Sequence, residues 1–360
     1  MRNATMSNST ANHSSPRPSF DVIVNHDAPD WQQYLSQKKE ATIYHDPRWG
    51  RIFRDTCGGL PFFLTARDKD GRITGVLQLV GQRSLLFGSH LCSLPYFDAS
   101  GVLAENEMAS AALLGKAQEL LQTHGYNHLE VRQFTSPAED VQTRTDKVTL
   151  CLDLPASSEE MWGRLKGKVR TKVRKVRKNK MEFNKGGVEL LNEFHGVYSR
   201  RMRDLGSPPH GKGFFNQIIS EFSDETRLFV VRKEGRMLAA AFTLTDQWGF
   251  HVPWSASDTR FNHLGANRFL YWHLLAHAAD SQAKRFDFGR STAGSGTYTF
   301  KREWGAKPVQ IYWQYFSIEN KNVSVARPDS GKYKLMIRCW KKLPLPVAKI
   351  IGPWLIRKLT

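Results

Sequence analysis

One pattern of segments occurs twice along this chain, and the repeat restricts the fold more than any other feature. Strand-like runs joined by a charged turn occur at residues 61–80, around R-D-K-D-G-R, and again at residues 228–245, around R-K-E-G-R. A glycine in a polar turn between two apolar runs is typical of a β-hairpin. After each hairpin the chain continues into a segment with helical spacing and then into another strand-like run.

The helix and the strand that follow each hairpin have similar patterns. Residues 108–121 and 266–279 carry apolar side chains at intervals of three and four, which predicts amphipathic helices. Residues 128–133 and 285–288 follow these helices as short strands. Two such units in tandem favour a duplicated α/β (α+β) fold, and two unrelated α/β domains are the alternative.

The length of the chain agrees with two domains. At about 150 residues per domain, 360 residues allow two domains and a tail. Residues 1–20 are rich in Ser, Asn and Thr, which predicts a disordered leader. We therefore predict a first domain over residues 21–155, a second over 156–320 and a basic amphipathic tail over 321–360.

Charge is concentrated in two places. The net charge is +18, yet residues 164–180 hold ten basic side chains without an acid, and residues 331–360 hold eight basic side chains without an acid. Because these two segments account for the whole excess, the remainder of the chain is electrically balanced. The sequence therefore indicates a neutral protein with two basic elements rather than a nonspecific polycation.

Several classes of protein are disfavoured by what the sequence lacks. Its four cysteines are far apart, with no C-x-x-C pair, which fits neither a zinc ribbon nor a disulfide scaffold and favours a reducing compartment. No run of 18 apolar residues occurs, and the first residues do not resemble a secretory signal. These observations predict a cytoplasmic protein.

We predict no metal site. His273 and His277 are four residues apart on a predicted helix, a spacing that some metal sites use, but no third ligand is evident. Half-buried helix residues are the favoured interpretation of this pair.

The segment Phe286–Pro308 contains the densest set of chemically useful residues. A predicted strand end carries Asp287 and Arg290 into a glycine-containing loop, and such loops offer backbone N–H groups to a ligand. Phe300-Lys301 then places a cation beside an aromatic ring, where it could stabilise charge developing on an oxygen. The alternative is a glycine-rich turn leading into a strand with a solvated lysine and core aromatic residues.

This segment resembles the C-terminal motif of FemAB-like proteins, nearest to the bacterial branch associated with exosortase (PEP-CTERM) and exopolysaccharide systems. The matching residues are Asp287–Thr292, Gly294–Tyr298 and Phe300–Ala306. Weaker matches occur in the expected order over most of residues 40–315: Tyr44-His45 with Trp49, Phe87-Gly88 to Leu94-Pro95-Tyr96, Arg203–Gly206, and Asn267 with Tyr271-Trp272.

The resemblance implies two tandem GNAT-like acyltransferase domains that transfer an aminoacyl or acyl group to an amine. In characterised Fem transferases the donor is aminoacyl-tRNA, the acceptor is the peptide of a peptidoglycan precursor, and neither coenzyme A nor a metal is needed. By the same resemblance, Lys301 would stabilise the tetrahedral oxyanion or the departing oxygen, and Phe300 would order the site. The helical-arm insertion of characterised Fem enzymes is absent, so the donor stays open between aminoacyl-tRNA and acyl-CoA.

Other candidate site residues follow from the motif and its supporting matches. Asp287 is a candidate base, ranked below Lys301. The candidates for substrate binding are Arg290, Gly294, Ser295, Gly296, Tyr298, Trp304, Arg203, Asn267 and Tyr271. His210, in a loop rich in proline and glycine, is a further candidate for contact with the acceptor.

The first basic element is predicted to be a helix over residues 164–180. Its apolar residues fall on one narrow stripe: Leu165, Val169, Val173 and Val176. Its remaining faces would present cations to a polyanion such as a diphosphate, a tRNA backbone or an acidic membrane: Lys168, Arg170, Lys172, Arg174, Lys175, Arg177 and Lys178. A merely solvated face is the alternative.

The second basic element, the tail, combines cations with apolar residues and prolines, so it cannot form one straight helix. We expect it either to lie on an anionic membrane through Trp354, Leu355 and Ile356 or to pack on the second domain. The predicted location is accordingly the cytoplasm, with peripheral contact at the inner face of the plasma membrane.

Taken together, these residues predict a FemAB-like transferase without a cofactor that forms an amide bond on a cell-envelope or exopolysaccharide precursor. The alternatives are an acyl-CoA-dependent N-acyltransferase and, outside the enzymes, a polyanion-binding accessory protein of an envelope assembly system.

Overall fold

The computed structural model describes residues 20–84, 88–98, 100–137, 140–247, 249–318, 323 and 331–359. The predicted disordered leader, apart from Phe20, lies outside the described residues, as does part of the segment that joins the second domain to the tail. The described residues form two mixed sheets and the helices that cover them.

Fifteen strands make up the two sheets. In chain order they are β1 (Asp21–Asn25), β2 (Leu60–Arg67), β3 (Ile73–Ser84), β4 (Gly88–Cys92), β5 (Leu103–Ala104), β6 (His128–Gln133), β7 (Gln142–Arg144), β8 (Lys147–Asp153), β9 (Glu182–Gly186), β10 (Thr226–Lys233), β11 (Arg236–Thr245), β12 (Gly249–Ser257), β13 (Arg285–Thr292), β14 (Lys307–Gln310) and β15 (Tyr312–Ser317).

The helices connect and cover these strands. They are α1 (Trp31–Ser36), α2 (Arg48–Cys57), α3 (Glu107–His124), α4 (Ser158–Arg164), α5 (Gly167–Arg177), α6 (Leu191–Leu205), α7 (Lys212–Glu221), α8 (Ala266–Asp280), α9 (Gly296–Glu303), α10 (Gly331–Lys341) and α11 (Leu345–Leu359), with 3₁₀ turns at Ile43–His45, Val188–Leu190 and Thr259–Leu264.

The two predicted units adopt the same arrangement. The first sheet runs β1-β2-β3-β4-β6-β15-β7, with β5 beside β3, and the second runs β14-β8-β13-β12-β11-β10-β9. In each, an antiparallel hairpin leads to a third strand, a helix crosses over, and the next strand pairs in parallel with the third: β4 with β6, and β12 with β13. The prediction of a tandem α/β fold is confirmed.

The sheets do not divide at the boundary predicted near residue 155, because they exchange strands. β8 lies before that boundary, yet it pairs with β13 and β14 in the second sheet. β15, near the end of the second half, returns to pair with β6 and β7 in the first sheet. Local patterns in the sequence cannot show which sheet either strand joins.

The parallel pair of the second sheet opens after three residue pairs. β12 and β13 are in register at Gly249–Arg285, Phe250–Phe286 and His251–Asp287, and no further pairing follows although both strands continue. The two strands are therefore not paired with each other beyond residues 251 and 287, which leaves a gap in the pairing of the sheet.

The basic helix predicted over residues 164–180 is shorter and corresponds to α5, Gly167–Arg177. α4 ends at Arg164 and α5 begins at Gly167, because Leu165 has extended backbone angles. The apolar stripe is nonetheless as expected: Leu165, Val169, Val173 and Val176 are buried in the hydrophobic core that α8 forms with the second sheet. Ser157 caps α4 by accepting a hydrogen bond from the Glu160 amide at 3.2 Å.

The tail forms two helices, α10 and α11, which agrees with the expectation that it is not one straight helix. Both pack on α6. Within the described ranges, no helix is long and apolar enough to cross a bilayer.

Candidate active site

A cavity of about 740 Å³ lies between the two halves of the molecule. On one side it extends into the gap between β12 and β13, where residues 252–257 and 287–290 form its wall. On the other side it is lined by strands of the first sheet, including β6 and β15. Each half therefore supplies one wall of the same cavity.

Lys301 lies in the wall of this cavity on α9, with only 8% of the residue exposed. Ser295 caps this helix by accepting a hydrogen bond from the Tyr298 amide at 3.2 Å. The Lys301 ammonium donates to the carbonyl oxygens of Gly289 at 2.8 Å and Arg290 at 2.9 Å. An ammonium has three hydrogens, and no acceptor among the described residues takes the third.

Burial makes the Lys301 ammonium a better proton donor than an ordinary lysine. Desolvation lowers its pKa from 10.5 to about 8; the charge of Asp287 opposes this shift, and the charge of Arg290 adds to it. Lys301 is therefore mostly a cation at neutral pH, held in a water-poor environment where its charge acts strongly on nearby oxygens.

A bulge in β13 presents the two carbonyl groups to Lys301. The register with β8 shifts between Asp287 and Arg290, and Gly289 has φ +74°. A β-carbon at Gly289 would lie 3.0 Å from the carbonyl oxygen of Val252. Both the backbone angle and the close approach of β12 therefore require glycine at this position.

Asp287 is an ionised anchor at the base of the gap. Its Oδ1 accepts hydrogen bonds from the Thr149 hydroxyl at 2.5 Å and from the Gly289 amide at 2.8 Å. Burial alone would raise its pKa, but hydrogen bonding and the charge of His251, with these two donors, lower it below the usual value. A carboxylate that holds its charge this firmly is a poor base, which disfavours the predicted role of Asp287 in proton abstraction.

His251 links Asp287 to a second buried carboxylate. Its Nε2 is 2.9 Å from Asp246 Oδ2, and its Nδ1 is 3.7 Å from Asp287 Oδ2. Burial lowers the pKa of His251, but the charges and hydrogen bonds of Asp246 and Asp287 outweigh it and raise the pKa from 6.5 to about 10. Asp246 Oδ2 also accepts the Ile43 amide of the first half at 2.9 Å, so this chain of charges spans both halves.

Aromatic side chains fix the position of α9 against β12 and α8. Phe300 contacts Tyr271 edge to face, with ring centroids 5.2 Å apart, and the Tyr271 hydroxyl is 2.9 Å from the Ser255 hydroxyl. Phe300, Tyr271 and Asn267 all line the cavity. Phe300 directly precedes Lys301 on α9.

The first half supplies Tyr44 and Asp98 to the same region. Tyr44 is buried, stacks on Phe97 with centroids 4.7 Å apart, and meets the His251 ring at 5.4 Å. Burial, followed by the charges of Asp287, Asp246 and Asp98, raises the pKa of Tyr44 well above its usual value, so its hydroxyl stays protonated. Asp98 binds Arg290, with Oδ1 2.8 Å from Nη1.

The far end of the cavity is a polar wall on the first sheet. His90 and His128 stack with centroids 5.2 Å apart, and burial lowers the pKa of both, to about 4 for His90. Beside them, Glu130 pairs with Arg132, whose guanidinium lies 4.4 Å from the Trp313 ring centroid. Charged side chains in the cavity wall are Arg132, Arg144, Arg201, Arg290 and Lys301 against Asp98, Glu130 and Asp287, which gives the cavity an excess of positive charge.

Six of the predicted site residues line the cavity: Asp287, Arg290, Phe300, Lys301, Asn267 and Tyr271. His210, the further candidate, lines it as well. The others are not part of the lining: Gly294, Ser295, Gly296, Tyr298, Trp304 and Arg203.

Each residue outside the lining has another position or contact. Gly294 to Tyr298 form the turn and the first residues of α9, and of this segment only Thr297, which was not among the predicted residues, lines the cavity. Trp304 is 2% exposed and belongs to the hydrophobic core that α8 forms with the second sheet. Arg203 pairs with Asp204 at 2.7 Å, while its neighbours Arg201 and Met202 line the cavity instead.

The wall on the first sheet was not among the sites predicted from the sequence. Residues 128, 130 and 132 are His, Glu and Arg, and they alternate with Leu129 and Val131. A strand within a sheet that carries three ionisable residues on one face is a signal that could have identified this wall. Asp246 and His251 gave no such signal, because their pairing depends on the turn between β11 and β12.

The predicted polyanion surface is partly engaged within the molecule. Lys172 and Arg268 both pair with Glu303 of α9, at 2.9 and 2.8 Å. Arg174 and Arg177 lie over the Trp162 ring. Lys168 and Lys175 are exposed on the same helix, and Lys178 is exposed directly after its end.

No cluster of three or more metal-ligating side chains occurs in the described part of the chain. His273 stacks on Phe183 with centroids 4.5 Å apart, and His277 lies 5.1 Å from the Phe229 ring. Burial lowers the pKa of both histidines. This pair has the half-buried character that the sequence favoured.

Comparison with known proteins identifies the fold. Residues 163–302 match the acetyltransferase (GNAT) domain family, and no curated protein matches the chain by sequence. The structure of FemX superposes with a TM-score of 0.61 at 14% identity, covering 81% of this chain and 96% of FemX. A tandem GNAT protein from the clavulanic acid biosynthesis pathway gives 0.52 at 10% identity, covering 85% of this chain and 100% of that protein.

L-PGS from Bacillus licheniformis is also similar, with a TM-score of 0.50 at 14% identity, covering 88% of this chain and 98% of that chain. These likenesses agree with the FemAB-like GNAT resemblance of the motif, and assignment to the exosortase-associated branch stays a prediction. The fold expected from the sequence is confirmed: the chain consists of tandem GNAT-like domains, and residues 163–302 of its second half match the GNAT acetyltransferase domain.

Proposed function

We propose that this protein is a transferase that moves an aminoacyl or acyl group from an activated donor to an amine of a cell-envelope or exopolysaccharide precursor. The observation that carries the proposal is the Lys301 ammonium, buried in the wall of a cavity between two GNAT-like halves and fixed by two carbonyl oxygens. The match of residues 163–302 to the GNAT acetyltransferase family supports acyl transfer as the class of reaction.

The chemistry requires stabilisation of one developing negative charge. The acceptor amine attacks the carbonyl carbon of the donor, forming a C–N bond, and the carbonyl oxygen becomes an oxyanion. The ester C–O or thioester C–S bond then breaks, and the leaving oxygen or sulfur departs with the electron pair. Lys301 would donate its remaining hydrogen to the oxyanion or to the leaving atom.

The proton of the attacking amine does not require a base from the protein. Asp287 has a lowered pKa, and the raised pKa of His251 keeps its imidazole protonated, so neither accepts a proton readily. The amine would lose its proton to water or to the leaving group. Asp287 and His251 are instead proposed to hold the bulge that presents the Gly289 carbonyl to Lys301.

Two donor classes fit this site, and each has its own support. The GNAT family match favours an acyl-CoA donor, while the motif around Phe300 and Lys301 resembles that of transferases that use aminoacyl-tRNA. Both donors are polyanions. The positive charge excess of the cavity suits either one.

We propose that α5 binds the phosphates of the donor. Its partner Glu303 lies on α9, two residues after Lys301, so this basic helix is tied to the helix that carries the ammonium. Lys168, Lys175 and Lys178 remain exposed and provide the cations for this contact. A protein that only bound polyanions would use the same surface but would not need Lys301.

The test incubates purified protein with candidate amine acceptors and either charged tRNA or acetyl-CoA, followed by mass analysis of the acceptor. A mass increase equal to the aminoacyl or acyl group, dependent on Lys301, supports the transferase. Binding of tRNA or CoA without product across the acceptor panel, unchanged in Lys301→Ala, would favour the accessory protein instead. Arg302→Ala, an exposed change on the same helix, is the matched control.

A further inference from the structure

Helix α11 presents its apolar residues outward. Val347, Ile350, Ile351 and Trp354 recur at intervals of three, one and three, so they form one stripe along the helix. All four are exposed, with 76% of Ile350 and 59% of Trp354 accessible. A helix that only packed on its own domain would bury this stripe, and α11 buries its small residues instead.

The opposite face of α11 is fixed against the body of the protein. Ala348 is fully buried, and a β-carbon at Gly352 would lie 2.5 Å from Pro209. Pro353 also lies near Gly211, where a β-carbon would lie 3.1 Å from the proline ring. Because small residues on both sides allow this close contact, the fold itself sets the outward direction of the apolar stripe.

Helix α10 also has one buried side and exposed apolar side chains. It is held by Trp340, which is buried, and by Ile337, which lies against Gly206. Leu335 and Met336 are exposed, with 59% and 47% accessible. We use the term tail face for the exposed apolar residues of both helices: Leu335, Met336, Val347, Ile350, Ile351 and Trp354.

The charges around the tail face distinguish among its potential occupants. Residues 331–360 contain eight basic side chains and no acid, and Lys349, Arg357 and Lys358 lie on α11 itself. Two copies of this face would repel each other, because each would bring the same positive charge. An anionic bilayer offers both an apolar interior and negative headgroups, and Trp is a side chain that favours the boundary between them.

We propose that the tail face binds the surface of an anionic phospholipid bilayer, with α10 and α11 lying in the plane of the membrane. Sequence analysis placed this contact at Trp354, Leu355 and Ile356. The structure instead makes Leu355 and Ile356 half-buried and directs the contact to the stripe from Val347 to Trp354.

Docking in this way would bring the cavity to the membrane. Ile356 lies on α11 and lines the cavity, so one helix contributes to both the tail face and the wall of the site. If the proposed transferase function holds, on which this step rests, the acceptor amine belongs to a lipid-linked precursor that reaches the cavity along α11.

Vesicle binding tests the membrane proposal without any activity assay. The full-length protein would be floated with vesicles of phosphatidylcholine alone and of equal parts phosphatidylcholine and phosphatidylglycerol. We expect binding to the mixed vesicles that weakens with added salt. Ile350→Ser combined with Trp354→Ser should reduce this binding about tenfold or more, because two exposed apolar side chains no longer enter the interface.

The control is Met108→Ser combined with Val188→Ser, which removes two exposed apolar side chains elsewhere and should leave vesicle binding unchanged. Equal binding of the tail variant and wild type would overturn the proposal. So would a wild-type dimer that the tail variant converts to a monomer, together with no binding to mixed vesicles. Transfer to a water-soluble acceptor, measured on the same variant, separates the two proposals, because loss of the membrane contact should leave that reaction intact.

Discussion

Lys301→Ala should abolish most of the transferase activity, and the structure indicates how much. Two of the three ammonium hydrogens are taken by the Gly289 and Arg290 carbonyls, so one remains for the reacting oxygen. Loss of a single oxyanion donor lowers kcat by about 10² to 10³, or roughly 2.7–4 kcal/mol of transition-state stabilisation. Lys301→Arg should not restore the rate, because a planar guanidinium cannot reproduce this geometry.

The pH dependence of the reaction offers an independent test. With a pKa of about 8, Lys301 loses its proton as the pH rises through 8, and kcat should fall there. Loss of folding stability caused by deprotonation of Lys301 cannot explain that fall in kcat. The pKa of Lys301 in the folded protein is lower than 10.5, so between pH 8 and 10.5 the unfolded chain binds more protons than the folded protein does. The contribution of Lys301 to folding stability therefore rises with pH in that window.

The assay measures the initial rate of group transfer by mass analysis from pH 6 to 10, with circular dichroism at each pH. Arg302→Ala should keep both the rate and the pH profile of the wild type. Transfer by Lys301→Ala at the wild-type rate, or a wild-type rate that stays constant through pH 8, would refute the role of the ammonium.

Three further changes test other parts of the site. His251→Gln should lower the urea midpoint of unfolding most at pH 6.5 and below and least near pH 10. The reason is that the raised pKa of His251 contributes folding stability that is lost as the pH rises through about 10. The control His277→Gln, at a histidine whose pKa is lowered, should not show this trend. Gly289→Ala should lower the folding stability by about 1–2 kcal/mol because of its positive φ, and further because its β-carbon would press on Val252; it should also remove most of the activity. Gly294→Ala, which has a similar φ but open space around it, should lose only the stability that the positive φ costs. Replacing Lys168, Lys175 and Lys178 with glutamine should reduce the salt dependence of tRNA or CoA binding, measured as the slope of log Kd against log salt. An unchanged slope would exclude α5 and the lysine after it as the contact.

The local patterns of the sequence predicted the repeated hairpins and the helix and strand that follow each of them. The strand over residues 128–133 and the helix after Gly265 follow from alternation and helical spacing, which depend only on neighbours in the chain. The segment from Gly296 to Glu303 is a helix, although one interpretation made it a strand. Its helical start depends on the Ser295 cap, a short-range signal within a glycine-rich run.

Contacts between residues far apart in the chain could not be predicted from the sequence. Lys301 could be identified as a candidate from its motif, but its two carbonyl partners come from a bulge that only the packing of β8 on β13 explains. The first-sheet wall depends on which face of β6 meets the cavity. The outward direction of the α11 stripe depends on contacts of Gly352 and Pro353 with residues about 140 positions earlier.

The exchange of β8 and β15 has a consequence for how the protein forms during synthesis. The first sheet needs β15, whose last residue is Ser317, so when the ribosome has made the first 155 residues one edge of β6 still lacks its neighbour. An unpaired strand edge is prone to join other chains. We therefore expect a fragment ending at residue 155 to aggregate rather than fold, and the two halves to be separable by neither proteolysis nor cloning into independent units.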